Sequence, residues 1–216
     1  MSNDNVVWFC EASGDNQHIR IMVSTDIREL SDDIAVNSIK RHKRGETVPI
    51  DELPRNFYGN YSDKKVGKIP HLFKSNGFWC VSAAFAAVLT QFDLGTGGVV
   101  PIHIFENDHI TPVKGDYYLL NLGCKKSAYL PLFTINARRN DFVADRWEFP
   151  GVIKDGRIAL SPAALEGPDL WVDSYSRIGE LFLSARLAKA LKAAKLDRAF
   201  SLFSCRVVNE DGTERA

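Results

Sequence analysis

Histidines and carboxylates cluster in the segment His103–His109, whose sequence is H-I-F-E-N-D-H. These residue types bind transition metals, but their spacing here matches no established zinc pattern. A strand followed by a turn would also direct the four side chains away from one another. The sequence therefore predicts no metal site in this segment, and it indicates no cofactor elsewhere in the chain.

Two serines and a glycine run are the other candidates for chemistry. Ser82 and Ser184 lie in no G-x-S-x-G motif, and no motif ties a histidine to either serine. Each serine precedes an apolar helical pattern, where its hydroxyl would cap the first turn. The run G-T-G-G at Gly95–Gly98 lacks the G-K-[ST] ending of a phosphate loop and is expected to end the preceding helix. No catalytic residue is predicted.

The four cysteines form no C-x-x-C pair; they are Cys10, Cys80, Cys124 and Cys205. Cys80 and Cys205 lie in apolar runs, where burial raises the pKa of a thiol and makes it inert. The first residues contain no basic stretch followed by an apolar one, so no secretory signal is expected. Reduced thiols and a cytoplasmic location follow as predictions.

Charge and hydropathy argue against two classes of partner. The 27 Lys and Arg residues balance the 27 Asp and Glu residues, so nothing draws the whole chain to nucleic acid or to an anionic membrane. No run of 18 apolar residues is present to span a bilayer. The basic run at Lys40–Arg44 is interpreted as a solvated face. The neutral balance is compatible with a homo-oligomer.

The segment Asp141–Pro150 alternates charged and aromatic residues, with the sequence D-F-V-A-D-R-W-E-F-P. Tryptophan and arginine are the residue types that most often anchor protein interfaces. The candidate partner-binding residues are Asp145, Arg146, Trp147 and Glu148. The alternative is a strand at a sheet edge, with Phe142, Trp147 and Phe149 in the core and the charges in solvent.

Two segments of the chain that lie 102 residues apart are similar, and their shared pattern predicts the elements that would position these residues. Ser82 matches Ser184 and Leu89 matches Leu191. Each segment consists of an apolar run with an aromatic residue, a serine, a helical face and a following strand. Apolar residues at spacings of three and four predict two amphipathic helices. We therefore predict an α+β fold in which a mostly antiparallel sheet packs against two similar helices from an internal repeat.

This similarity divides the chain into three parts. Residues 1–69 are predicted to form a hairpin, from Val6–Cys10 and Ile19–Val23, and then an irregular connection over Lys40–Pro70. Residues 70–140 form the first α/β unit and residues 141–216 the second. Further strands are expected at Val99–Phe105, Tyr117–Leu122, Ala128–Ile135 and Phe200–Val208.

Two stretches resemble a known family. One is W-C-V-S-A-A-F-A-A-V-L-T-Q-F-D-L-G with the downstream G-D-Y-Y-L-L-N-L, and the other is G-E-L-F-L-S-A-R-L-A-K-A-L-K-A-A-K-L. They resemble the immunity proteins of bacterial polymorphic toxin systems, in the family typified by a myxobacterial immunity protein. The resemblance covers about two-thirds of the chain. It implies a cytoplasmic protein that binds and neutralises a cognate toxin, without catalysis or a cofactor.

Two hypotheses of different class remain open. A non-catalytic inhibitor would present an exposed patch rich in aromatic residues or in one sign of charge. An enzyme or small-molecule binder would use a cleft between the two units, with His71, His103 or His109 near a carboxylate.

Overall fold

The computed structural model describes residues 5–14, 22–24, 26–27, 31–59, 65–140, 147–176, 179–197, 200–209 and 211–214. Within these ranges there are fourteen short strands and three α-helices. The strands are β1 (Val7–Cys10), β2 (Met22–Ser24), β3 (Asn56–Gly59), β4 (Leu72–Ser75), β5 (Phe78–Ser82), β6 (Gly98–Phe105), β7 (Tyr117–Asn121), β8 (Lys125–Lys126), β9 (Arg138–Arg139), β10 (Trp147–Glu148), β11 (Ala159–Leu160), β12 (Leu170–Asp173), β13 (Leu181–Ser184) and β14 (Leu202–Val207). The helices are α1 (Asp32–Lys43), α2 (Ala83–Leu89) and α3 (Ala185–Ala193).

The strands form two six-stranded sheets and one separate two-stranded ribbon. The first sheet has the order β11-β14-β1-β13-β12-β8, and the second has the order β2-β3-β6-β7-β5-β4. Most neighbours are antiparallel, but β14 runs parallel to β11, β12 to β8, and β6 to β3. The ribbon consists of β9 and β10.

The predicted fold, one mostly antiparallel sheet packed against two repeat helices, is wrong. Both sheets are mixed, and α2 contacts β5 and β7 of the second sheet whereas α3 contacts β1 and β13 of the first. The two helices therefore do not form a repeat layer on one sheet. The similarity between the two segments reflects a local strand–serine–helix pattern, which contains no information about which strands pair across the chain.

The serine caps at the start of the helices are confirmed. Ser82 accepts a hydrogen bond from the Phe85 N–H, and Ser184 accepts one from the Leu187 N–H. Ser31 caps α1 in the same way. Each hydroxyl satisfies an N–H group that has no partner within the first turn of its helix.

The predicted N-terminal hairpin is also wrong, because β1 and β2 belong to different sheets. β1 lies between β13 and β14, with Val7 and Phe9 facing one core and Cys10 facing another. A strand that is buried on both faces needs partners on both edges, so it belongs in the centre of a sheet rather than in a terminal hairpin. β2 pairs with β3, which forms inside the segment predicted to be irregular.

The strand expected at Ala128–Ile135 does not form as predicted. β7 forms as expected, but Pro131–Phe133 is a 3₁₀ turn rather than part of a strand. Proline has no N–H to donate to a strand ladder, and Pro131 begins this turn.

A shared apolar core joins the two sheets. Leu181 and Leu183 of β13 face this core together with Trp79 and Val81 of β5, and Phe85 and Leu187 enter it from α2 and α3. Successive side chains of a strand point to opposite faces, so Phe182 faces a separate core on the far side of the first sheet. A third core lies under α1, on the far side of the second sheet.

The chain passes from one sheet to the other at a backbone crossing of glycines. A Cβ atom on Gly123 would lie 1.9 Å from the Gly97 nitrogen, and one on Gly97 would lie 2.2 Å from the Asn121 oxygen. The Gly95–Gly98 run thus allows the two backbone segments to approach closely. It does not end α2, which stops at Leu89.

No helix in the described ranges combines the length and the apolar character that crossing a bilayer requires.

Replacing Gly123 by alanine should therefore destabilise the protein strongly. The methyl group would overlap the backbone at Gly97, which no side-chain rotation can relieve, so we expect a loss of at least about 3 kcal/mol. Urea unfolding followed by tryptophan fluorescence measures this loss. Gly98→Ala is the matched control, because nothing lies within 4 Å of its Cβ position. Equal free energies of unfolding for Gly123→Ala and Gly98→Ala would contradict the close backbone contact between Gly123 and Gly97.

His42, from the basic run at Lys40–Arg44, is fully buried. Its Nε2 accepts a hydrogen bond of 2.9 Å from the Trp79 N–H, so the imidazole is neutral, with its proton on Nδ1. Desolvation, reinforced by Lys74 and Lys43, lowers the pKa of His42 to about 3. The prediction of a wholly solvated basic face is therefore wrong at this position.

Stability should fall with acidification as a result. The unfolded chain binds a proton at His42 below its ordinary pKa of about 6.5, whereas the folded chain does not, so stability is lost as the pH falls from about 6.5 towards 3. At pH 5 the loss is about 2 kcal/mol. His42→Gln retains an acceptor for the Trp79 N–H and should flatten the dependence between pH 6.5 and 5. The exposed His103→Gln is the control and should leave the slope unchanged.

Candidate interaction surface

A serine and a histidine meet at the start of α2. The Ser82 hydroxyl lies 2.7 Å from Nδ1 of His71, and the Ser82 N–H donates to the His71 carbonyl. A nucleophilic serine beside a histidine base would have this contact. Sequence reasoning did not connect these residues, because they share no motif and meet only through the antiparallel pairing of β4 and β5: His71 directly precedes β4, and Ser82 ends β5.

The same arrangement recurs at α3 with a carboxylate in place of the imidazole. The Ser184 hydroxyl donates to the Asp169 carboxylate at 2.5 Å, and the Ser184 N–H donates to the Asp169 carbonyl. In both sheets, a polar side chain that precedes the first strand thus hydrogen-bonds to the capping serine of the following helix. We interpret the contact between His71 and Ser82 as this structural brace.

The Asp169 carboxylate also connects the two sheets. Burial disfavours its charge, but hydrogen bonds from Arg186 and Ser184 and from the Asp93 N–H outweigh that effect and lower the pKa of Asp169. Arg186 contacts both carboxylate oxygens. Because Asp93 follows α2 and Asp169 precedes β12, this carboxylate holds the second sheet's helix segment against the first sheet.

The histidines of the H-I-F-E-N-D-H segment do not converge. His103 is exposed on β6, whereas the ring of His109 stacks on Tyr58 with 4.1 Å between centroids. Glu106 accepts from the Val66 N–H, and Asp108 accepts from the backbone of its own turn. Among the described residues, no three His, Cys, Asp or Glu side chains are grouped as a metal site would need.

The space where a cleft between the two units was expected is filled by the shared core. Its cavity measures only about 10 Å³, and all nine lining residues are apolar, among them Cys10, Leu72 and Phe85. Burial raises the pKa of Cys10 to about 12 and that of Cys80 further still. All four cysteines are unpaired, and Cys124 alone is only half-buried.

A different surface has the composition of an interface. Within the described residues, six large apolar side chains are strongly exposed, and three of them lie in the neighbouring segments 131–135 and 147–157. They are Leu132 at 80%, Ile135 at 49% and Val152 at 60%. A hydrogen bond joins the two segments, because the Ile135 N–H donates to the Arg157 carbonyl at 3.0 Å. Within the second segment, the Arg157 guanidinium donates to the Val152 carbonyl.

The β9–β10 ribbon continues this surface. Arg139 pairs with Trp147 and Arg138 with Glu148, and both arginines are exposed. We define the ribbon surface by its apolar and charged members, which are Leu132, Ile135, Arg138, Arg139, Trp147, Glu148, Val152, Lys154 and Arg157.

Two of the four candidate partner-binding residues lie on the ribbon surface. Trp147 is half-buried against the core outside the first sheet, and the Glu148 carboxylate accepts from the Asn140 amide at 2.9 Å. Asp145 and Arg146 lie outside the described residues. The prediction that these four residues bind a partner therefore remains a prediction. Sequence reasoning missed Leu132, Ile135 and Val152, whose exposure no local pattern signals.

The ribbon surface carries excess positive charge among its described residues. Arg138, Arg139 and Lys154 are exposed, and Arg157 is half-buried. These four cations outnumber the two carboxylates of the same segments, Glu148 and Asp155. Asp155 accepts from the N–H and hydroxyl of Ser204, which are neutral donors and leave its charge in place. The chain is neutral overall, so this excess is a local feature that would attract an acidic protein surface.

Comparison of the sequence with models of known protein families and with curated proteins gives no match.

If the contact between His71 and Ser82 is a brace, removing the hydroxyl should cost stability. We expect Ser82→Ala to lower the free energy of unfolding by about 1 kcal/mol, since the cap of α2 and the contact with His71 are lost together. Ser184→Ala should cost at least as much, because it also removes a donor from the buried Asp169. Urea unfolding measures both changes. Labelling of the wild type, but not of Ser82→Ala, by a fluorophosphonate probe would contradict the structural role.

Proposed function

We propose that this chain is a non-catalytic inhibitor that binds a cognate bacterial toxin in the cytoplasm through the ribbon surface. The observation that carries the proposal is the joint exposure of Leu132, Ile135 and Val152 beside Arg138 and Arg139. Exposed apolar side chains on adjacent segments, bordered by arginines, are typical of protein-binding sites. The resemblance of the two serine–helix stretches to immunity proteins supports the same function.

Hydrogen bonds behind the ribbon surface hold its backbone in place. Arg206 stabilises the turn behind it by donating to the Phe133 carbonyl and to the Gly156 carbonyl. The Thr134 hydroxyl joins the same turn to β11 by accepting from the Ala159 N–H. A surface held by such contacts loses little conformational entropy on binding, so more of its interaction energy appears as affinity.

The partner should present an acidic face around an apolar centre. Apolar contacts at the centre of an interface provide most of the affinity, whereas charges at its rim accelerate association. We therefore expect the association rate to fall as salt is added, because salt screens exposed charges.

The test compares two triple variants matched for exposure. Leu132→Asp, Ile135→Asp and Val152→Asp alter the ribbon surface, whereas Ile110→Asp, Val36→Asp and Ile50→Asp alter side chains elsewhere that are 80%, 49% and 60% exposed. Tagged wild type and both triple variants are used to capture proteins from the native lysate. We expect the wild type and the control to retain a stoichiometric partner that the ribbon variant loses. Aspartates at these positions would be desolvated on binding and would be repelled by the acidic face expected of the partner.

The captured partner must then behave as a toxin. Its expression should arrest growth of a host, and co-expression of the wild type, but not of the ribbon variant, should restore growth. Equal capture by both variants would place the interface elsewhere. Capture of the chain itself alone, as a homo-oligomer, would overturn the proposal.

A further inference from the structure

A groove on the second sheet arises from a change of register between β6 and β7. Ile102 is paired with Tyr117, whereas the Val113 N–H donates to the Ile104 carbonyl at 2.8 Å. Between these two contacts β6 has one residue, His103, but the opposite strand has three, at positions 114–116. The extra residues form a bulge that faces His103, and bulges of this kind often redirect side chains at binding sites.

Gly115 makes this bulge feasible. Its φ of +122° is one that residues with side chains rarely adopt, and a Cβ there would lie 3.0 Å from the Tyr117 hydroxyl oxygen. The resulting groove has a cavity volume of about 270 Å³. Pro101, Phe105, Pro112 and Tyr118 provide its apolar lining.

Three polar groups line the groove without a hydrogen-bond partner in the described part of the chain: the His103 imidazole, the Asp116 carboxylate and the Tyr118 hydroxyl. Asp116 contacts the rest of the fold through its backbone, because its carbonyl accepts from the Ala83 N–H at 2.9 Å. By contrast, the carboxylate of Asp26, which lies just after β2, is occupied by the Arg55 and Asn56 N–H groups. The side chain of Asp116 is therefore available to a ligand.

The lining favours a cation. Asp116 has the only formal charge among the lining residues, and Phe105 and Tyr118 supply aromatic rings. A carboxylate beside aromatic rings is a favourable environment for an ammonium or guanidinium group. The guanidinium of Arg55 donates to the Pro101 carbonyl at 3.2 Å but does not line the groove.

The groove is open to solvent, which favours a cation carried by a protein partner over a small free ligand. Pro101, His103, Pro112 and Asp116 are all exposed, so a small free ligand would stay largely in solvent, unlike ligands in enclosed metabolite sites. We propose that the groove receives an arginine or lysine side chain of a protein partner, with Asp116 as its counter-ion. This site lies on the second sheet, apart from the ribbon surface, and it does not depend on the proposed function.

The test is an NMR titration at low salt with acetyl-Gly-Arg-Gly-amide and acetyl-Gly-Lys-Gly-amide as probes. The matched neutral probe is the same peptide with citrulline, which has the shape of arginine without its charge. We expect saturable shifts of the amides at His103 and 115–118 with the basic peptides. The citrulline peptide should bind about tenfold more weakly, because the charge-assisted contact is lost.

Asp116→Asn should reduce the affinity for the arginine peptide by a similar factor. Its fold should be retained, since the backbone carbonyl that contacts Ala83 remains. Asp51→Asn, at another exposed carboxylate, is the control and should leave the affinity unchanged. Equal binding of the arginine and citrulline peptides to the wild type would overturn the proposal, whatever the stability of Asp116→Asn. So would the absence of shifts at these amides with about 10 mM basic peptide.

Discussion

Backbone contact between Gly97 and Gly123 determines where the two sheets meet. β7 belongs to the second sheet and β8 belongs to the first, and only three residues separate them, so the chain changes sheets within one short turn. The Cys124 carbonyl in this turn accepts from the Val172 N–H of β12. Because a side chain at Gly123 would force the two backbone segments apart, the shared core between the sheets depends on the absence of one.

Polar side chains reinforce this junction rather than forming a site within it. Lys126 donates to the carbonyls of Ala164 and Pro168 and lies 3.7 Å from the centre of the Trp171 ring. Buried Asp173 accepts from the N–H groups of Ala128 and Tyr129. These contacts satisfy groups that would otherwise be unpaired in a dry interior. The interior is therefore closed, and the surfaces that remain for binding are the outward ones.

Sequence reasoning succeeded where a feature depends on neighbours along the chain. The caps at Ser82 and Ser184 and the strand at 98–105 follow from local hydrogen bonding and alternation, which a short window contains. The pairing of β1 with β13 and β14 depends on residues about 170–200 positions away, and no local pattern specifies such partners. The similarity between the two helix-forming segments 102 residues apart therefore suggested a single sheet, whereas the chain forms two mixed sheets.

The sequence by itself determined the helix starts, the apolar faces and the lack of a recognisable catalytic motif, because these depend on residue type and short-range spacing. Tertiary structure decided which residues are available to a partner. Leu132 and Val152 are as apolar as core residues and are exposed because no element in the described part of the chain packs over them. Asp116 faces a groove only because a bulge changes the register beside it. Exposure and pairing depend on contacts between distant segments, which residue type alone does not specify.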